Sequence, residues 1–221
     1  SIIEDFDVGL ATSGWLITGY LIAMASILPL GGKIGDRFGR RNVVLLGLLL
    51  FGGASIAAGL SQNLPTLLVF RIMQGVAGAL ITPNTNALIR EAVPEVRRGM
   101  AYGILGAVIG VAAGLGPPIG GVLVEIAGWR AAFFFNVVGI VPASIIGWKI
   151  LPKSKIFGSF GQFDIIGALG LPAILTAVVS LLLYVAQGGD ALVLAASIPV
   201  IGLAMIAFGW HELRHPDPVL Q

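Results

Sequence analysis

The chain has 221 residues, 57% of them hydrophobic and only 11% charged, with a formal net charge of +2 and a mean hydropathy of +0.97. A soluble domain carries about 25% charged residues, so this chain cannot coat a water-facing surface, and the balance argues against a soluble enzyme or a nucleic-acid-binding protein. There is no cysteine, which removes disulfides, zinc–thiolate centres and cysteine catalysis.

In chain order, an acidic start, "SIIEDFD", leads into seven apolar runs, each near the roughly 20 residues that cross a bilayer as a helix. They are Thr12–Leu30, Val43–Leu60, Leu64–Ile89, Gly99–Val124, Ala131–Trp148, Ile165–Gly189 and Ala191–Trp210, and Arg71 is the single charge within them. The predicted class is an all-α, multi-pass membrane protein. The connections carry the orientation. Lys33, Arg37, Arg40, Arg41, Arg90, Arg97, Arg98, Lys149, Lys153, Lys155 and Arg214 fall on one side, and only Arg130 falls on the other. The basic side is therefore cytoplasmic, with residue 1 outside and residue 221 inside.

The stretch "GGKIGDRFGRR" (Gly31–Arg41) joins the first two spans and reads as a cytoplasmic hinge. It lacks the GxGxxG spacing of a nucleotide-binding loop and follows a membrane-length helix rather than a short strand. The stretch "GGVLVEIAGWR" (Gly120–Arg130), 89 residues on, repeats its pattern of paired glycines, acid, glycine and arginine. In the second copy these positions are Gly121, Glu125, Gly128 and Arg130, on the opposite side of the membrane. Such inverted three-helix repeats mark many secondary transporters. Leu64–Ile89 opens the second unit, and its counterpart would lie before Ser1, so the chain is expected to be a fragment lacking its first helix.

Arg71 lies about 10 Å into its span, and Gln74 follows at i+3 on the same face. An arginine at such depth costs about 2.5–3.5 kcal/mol, so it is expected to face the bundle interior and serve function. Further on, Gly106, Gly110 and Gly114 present a flat face for helix packing ahead of Pro117 and Pro118, which should kink the helix. Asn136 is a polar group in an apolar helix, and either substrate contact or a bond to a neighbouring helix suits it. Asp164 reads as a charge at a helix start. His211 and His215 stand at i,i+4 without a third ligand, so neither a metal nor another cofactor is expected.

These motifs resemble the major facilitator superfamily, and within it the fourteen-helix drug:proton antiporters, over essentially the whole chain. Gly32, Asp36, Arg37, Gly39 and Arg40 match the family's gating motif A. Arg71, Gln74 and Gly75 match motif B, which the family implies couples transport to proton movement. Gly116, Pro117, Gly120 and Gly121 match the antiporter motif C, with Ala112 where the family has a leading glycine. The resemblance implies that residues 1–151 are one six-helix half without its first helix. Residues 152–221 would be the inserted helix pair and the start of a linker to an absent second half. It further implies a monomeric, non-enzymatic transporter that exports lipophilic or cationic drugs in exchange for protons. A symporter or facilitator for a metabolite is the alternative within the class. A receptor or a decayed transporter fragment is the alternative outside it.

Overall fold

Inside a bilayer a helix satisfies every backbone N–H and C=O within one segment, so continuous apolar runs of membrane length fold as helices. The computed structural model describes residues 2–153, 165–186 and 189–214. Among these residues the regular elements are eight helices: α1 (Ile2–Phe6), α2 (Leu10–Phe38), α3 (Arg40–Gly59), α4 (Leu64–Ala92), α5 (Glu95–Ala127), α6 (Trp129–Ile150), α7 (Ile165–Ala186) and α8 (Ala191–Arg214). Helices α2 to α6 each contain a stretch long and apolar enough to cross a membrane, and α7 and α8 carry the shorter apolar stretches Gly170–Leu182 and Ala195–His211. Each of the seven expected spans thus falls on one of α2–α8. Lys155, Asp164 and His215 lie outside the described residues.

One boundary differs from expectation. Gly31–Phe38 is not a loop but the last two turns of α2. Nothing in it forbids a helix, and two of its glycines are covered by α4, so helix is the cheaper way to satisfy the backbone there. The chain leaves helix only at Gly39, whose φ of 90° ends α2 and starts α3. Gly128, with φ of 78°, joins α5 to α6 in the same one-residue manner. A side chain is strained in that conformation, so both corners call for glycine. These two positions are 89 residues apart, and the repeat seen in the letters is a repeat of backbone geometry.

Helix α4 is the hub, packing mainly against α2 and α3, while α3 also packs against α6. Asn63 caps its start by accepting from the Thr66 backbone N–H at 2.9 Å and the Thr66 hydroxyl at 2.6 Å. Lipid tails are as apolar as leucine, so close packing and interhelical hydrogen bonds hold such helices together rather than burial from water. Small residues permit the approach: Ala58, Ala77 and Ala79 have no exposed surface. Gly75 lies so close to α2 that an added Cβ would strike the Tyr20 carbonyl oxygen. Helix α7 docks on α2, where the Ser26 and Thr176 hydroxyls bond at 3.3 Å, and pairs with α8.

Helix α5 behaves differently. None of its residues is buried, and its packing is chiefly against α6.

Candidate functional site

Three layers of polar residues run through the bundle. The middle layer centres on Arg71, half-buried in α4. One guanidinium nitrogen donates to Gln74 Oε1 at 3.3 Å. Gln74, fully buried, donates through Nε2 to the Ser55 hydroxyl on α3 at 2.7 Å. Ser55 donates in turn to the Phe51 carbonyl one helical turn back, at 2.8 Å. The guanidinium also sits 5.5 Å from the Tyr20 ring centroid and 5.3 Å from that of Phe133. Ring faces at that distance attract a cation, more strongly when it is desolvated. The expected i,i+3 relation of Arg71 and Gln74 is present, and Gly75 beside them lets Tyr20 approach.

At the basic end, residues of the Gly31–Arg41 stretch form a surface network. Arg40 donates from Nε to Asp36 Oδ1 at 2.8 Å and reaches the same oxygen from Nη2 at 2.7 Å. Its Nη1 pairs with Glu91 at the end of α4, at 2.9 Å. Arg40 thus ties the end of α2 to the end of α4. Arg37 is buried. Arg41 donates to the Trp148 carbonyl of α6 and stacks 5.0 Å above the Trp148 ring. At Gly32 a Cβ would sit at an ordinary 3.8 Å from Pro83, and the tight glycines are Gly31 and Gly35. Gly31 is pressed against the Ala79 carbonyl of α4, and Gly35 against the side chain of Asn84, which is 1% exposed. Its Nδ2 donates across the interface to the Gly31 carbonyl at 2.7 Å and within α4 to the Leu80 carbonyl at 2.8 Å. Its Oδ1 lies where a Cβ on Gly35 would be.

The opposite end mirrors this arrangement with different partners. Asp5 accepts from Trp129 Nε1 and from Arg130 Nη1, each at 2.9 Å. Arg130 also donates to the Ser61 carbonyl at 3.3 Å and stacks 4.3 Å from the Trp129 ring centroid. Donation from Trp129 first, and from Arg130 second, holds the Asp5 carboxyl below its ordinary value. In the repeat, Arg130 corresponds to Arg41 and Glu125 to Asp36. Glu125 is exposed, and Asp5, far away in sequence, is the acid bonded to Trp129, the counterpart of Arg40, and to Arg130.

Gly116, Gly120 and Gly121 stand apart. A Cβ at Gly116, Gly120 or Gly121 would meet nothing within 4 Å, and the same holds for Gly106, Gly110 and Gly114. The tight packing expected of this face is therefore not made among the described residues. Pro117 and Pro118 lie within α5 without ending it. Asn136 is half-buried on α6. Between α2, α4 and α7 lies a cavity of about 420 Å³, lined by Trp15, Gly19, Leu68 and Ile72 together with Ser26 and Thr176.

Sequence reasoning missed Asp5, Ser55, Asn84 and Glu91. Ser55 and Asn84 carried the signal that marked Gln74, a polar side chain in an apolar span. Asp5 and Glu91 carried none, because an acid near a membrane edge is ordinary.

The sequence profile described as the Major Facilitator Superfamily matches residues 1–210. The chain is 35% identical, over its whole length, to a tetracenomycin C resistance and export protein of Streptomyces glaucescens, and covers 41% of that protein. It is 34% identical, again over its whole length, to a puromycin resistance protein of Streptomyces alboniger, covering 44% of it. Over 76% of the chain it is 34% identical to a riboflavin transporter of Clostridioides difficile, covering 37% of that protein. The chain thus spans about two fifths of the length of these curated relatives.

Proposed function

The chain belongs to the Major Facilitator Superfamily, and on that premise we propose that the whole protein is a proton-coupled exporter of lipophilic or cationic drugs. It is a multi-pass membrane transporter by family; the coupling and the substrate class are the proposal. The observation that carries it is Arg71. A cation set in a span otherwise free of charge, wired to a buried amide and flanked by two aromatic rings, is expensive to keep. A charge in that position can answer a proton arriving nearby through the field between them, which in a low dielectric reaches far. Proton entry would supply the work, about 2.3 kcal/mol per charge per 100 mV.

In this reading residues 1–151 contribute to one half of a monomeric transporter and residues 152–221 to the inserted pair. The Asp36–Arg40–Glu91 network gates the cytoplasmic end, and the region from Gly116 to Gly121 serves as the packing hinge. Two of the relatives bear names of resistance to, or export of, antibiotics, which favours drug export. The apolar cavity beside α4 suits a lipophilic molecule.

The test reconstitutes the full protein in lipid vesicles and imposes a pH gradient. Export of a lipophilic cation should follow the gradient, and Arg71→Ala should abolish that response while leaving substrate counterflow. Export indifferent to the gradient would remove the proton-coupled reading. A second reading, transport of a metabolite, is favoured by the riboflavin transporter among the relatives; gradient-independent uptake of riboflavin would support it.

A further inference from the structure

We infer that Ser55, on a helix that carries no charge near the coupling site, is the positioning residue that sets the direction of the Arg71 hydrogen-bond chain. The inference rests on the transport reading above and goes beyond it, since Ser55 belongs to none of the motifs.

The argument starts from Gln74. A primary amide has nearly the same shape in either orientation, but its two ends are chemical opposites, one accepting and one donating. Gln74 has no exposed surface, so water cannot decide between them. Arg71 can only donate, and Gln74 therefore serves it only by presenting Oε1. The choice is made at the far end of the side chain. Ser55, also without exposed surface, spends its single proton on the Phe51 carbonyl at 2.8 Å. Toward α4 it has only lone pairs to offer. Gln74 must then turn Nε2 to Ser55, at 2.7 Å, and its oxygen is thereby aimed at Arg71, at 3.3 Å. The chain runs one way: Arg71 to Gln74 to Ser55 to the Phe51 carbonyl.

Without the Ser55 hydroxyl, both orientations of Gln74 are poor. Kept as it is, the amide buries an N–H₂ with no acceptor. Flipped, it points donors at a guanidinium. The flip leaves Arg71 without its acceptor; unflipped, the oxygen still faces Arg71 but is no longer anchored at the far end, so in both cases Arg71 rotates more freely between the Tyr20 and Phe133 rings. Ser55 lies on α3 and Gln74 on α4, so the same bond links the orientation of Arg71 to the packing of two helices.

The experiment uses the full protein in lipid vesicles, with tetraphenylphosphonium as the transported probe, and compares Ser55→Ala, Ser55→Cys, Gln74→Leu and the double variant Ser55→Ala/Gln74→Leu. Ser55→Ala should lower kcat for pH-driven export about tenfold, the worth of one buried hydrogen bond, with KM little changed. Ser55→Cys fills the space but accepts weakly, and should behave like Ser55→Ala. In the Gln74→Leu background there is no amide to orient, and Ser55→Ala should then have no further effect. A wild-type-like Ser55→Cys would show that volume matters rather than the acceptor, and would overturn the inference. So would additive effects in the double variant. Unfolding midpoints of the same proteins read the Ser55–Gln74 coupling whatever is carried, and additivity there also overturns it. A wild type that moves no tetraphenylphosphonium refutes the drug-cation reading instead, and leaves the Ser55 inference to be decided by those midpoints.

Discussion

Gly75→Ala adds one methyl group at the closest approach of α2 and α4. The new Cβ would strike the Tyr20 carbonyl and lie 3.0 Å from the Ala23 Cβ and 3.1 Å from the Met24 backbone nitrogen. Carbon atoms prefer about 3.5–4.0 Å, so α2 must retreat by roughly 0.5–1 Å. The obstacles are backbone and a Cβ, which cannot rotate away as a long side chain would. Overpacking of this kind costs about 1–3 kcal/mol, offset by up to about 1 kcal/mol from the better helix propensity of alanine. A net loss of about 1–2 kcal/mol is expected, together with a shift of the Tyr20 ring away from Arg71. The control lies one turn away. A Cβ at Gly78 would meet the Met24 sulfur at 3.5 Å and the Tyr20 hydroxyl at 3.6 Å, both ordinary contacts with movable side chains. Unfolding in mixed micelles, followed by helical circular dichroism, compares the two. Gly78→Ala keeps the propensity gain without the clash, and should be as stable as the parent or up to about 1 kcal/mol more stable. If Gly75→Ala proves as stable as Gly78→Ala, backbone proximity at position 75 is not what selects glycine, and the reasoning fails.

Other outcomes follow from the remaining layers. Asn84→Ala removes two hydrogen bonds, but both carbonyls sit within helices, so the expected loss is about 1–2 kcal/mol in the same unfolding assay. Asp36→Asn leaves Arg40 its partner Glu91 and breaks a pair whose acid is 56% exposed. It should cost no more than about 1 kcal/mol of stability, yet impair transport if the network gates, and unimpaired counterflow and export would count against that role. For Asp5, the carboxyl is held below its ordinary value of 3.8. The folded state therefore binds the proton less readily than the unfolded one, and the contribution is present above that value and lost as pH falls through the lower, folded value. Between about pH 5 and 8 the Asp5–Trp129–Arg130 clamp should stay closed. Fluorescence of Trp129 in a protein with Trp15, Trp148 and Trp210 changed to Phe checks this, and a transition near neutrality would contradict it.

Much of the architecture was legible because bilayer physics leaves few options. Apolar runs of membrane length had to be helices, and the uneven lysines and arginines set their sense. Arg71 and Gln74 could be paired on paper, since an i,i+3 spacing on a helix is a distance. Gly39 and Gly128 could be matched through the repeat. The extent of α2 was not legible, because Gly31–Phe38 looks like a turn until α4 is seen covering Gly31 and Gly35. Nor was Asp5 as the partner of Arg130, 125 positions away, since nothing in local spacing links the two.

By itself the sequence determined the solvent this protein lives in, the places of its long apolar runs, the corners where glycine is required, and the place of Arg71 as the single charge within those runs. These depend on composition and local spacing, which no fold can alter. Only the tertiary structure decided which acid meets which arginine, which glycines are pressed against a neighbouring backbone, and that Ser55 stands behind Gln74. Those depend on how helices rotate and slide against one another, and in lipid that is settled by the close fit of small residues and a few buried hydrogen bonds rather than by any pattern along a single helix.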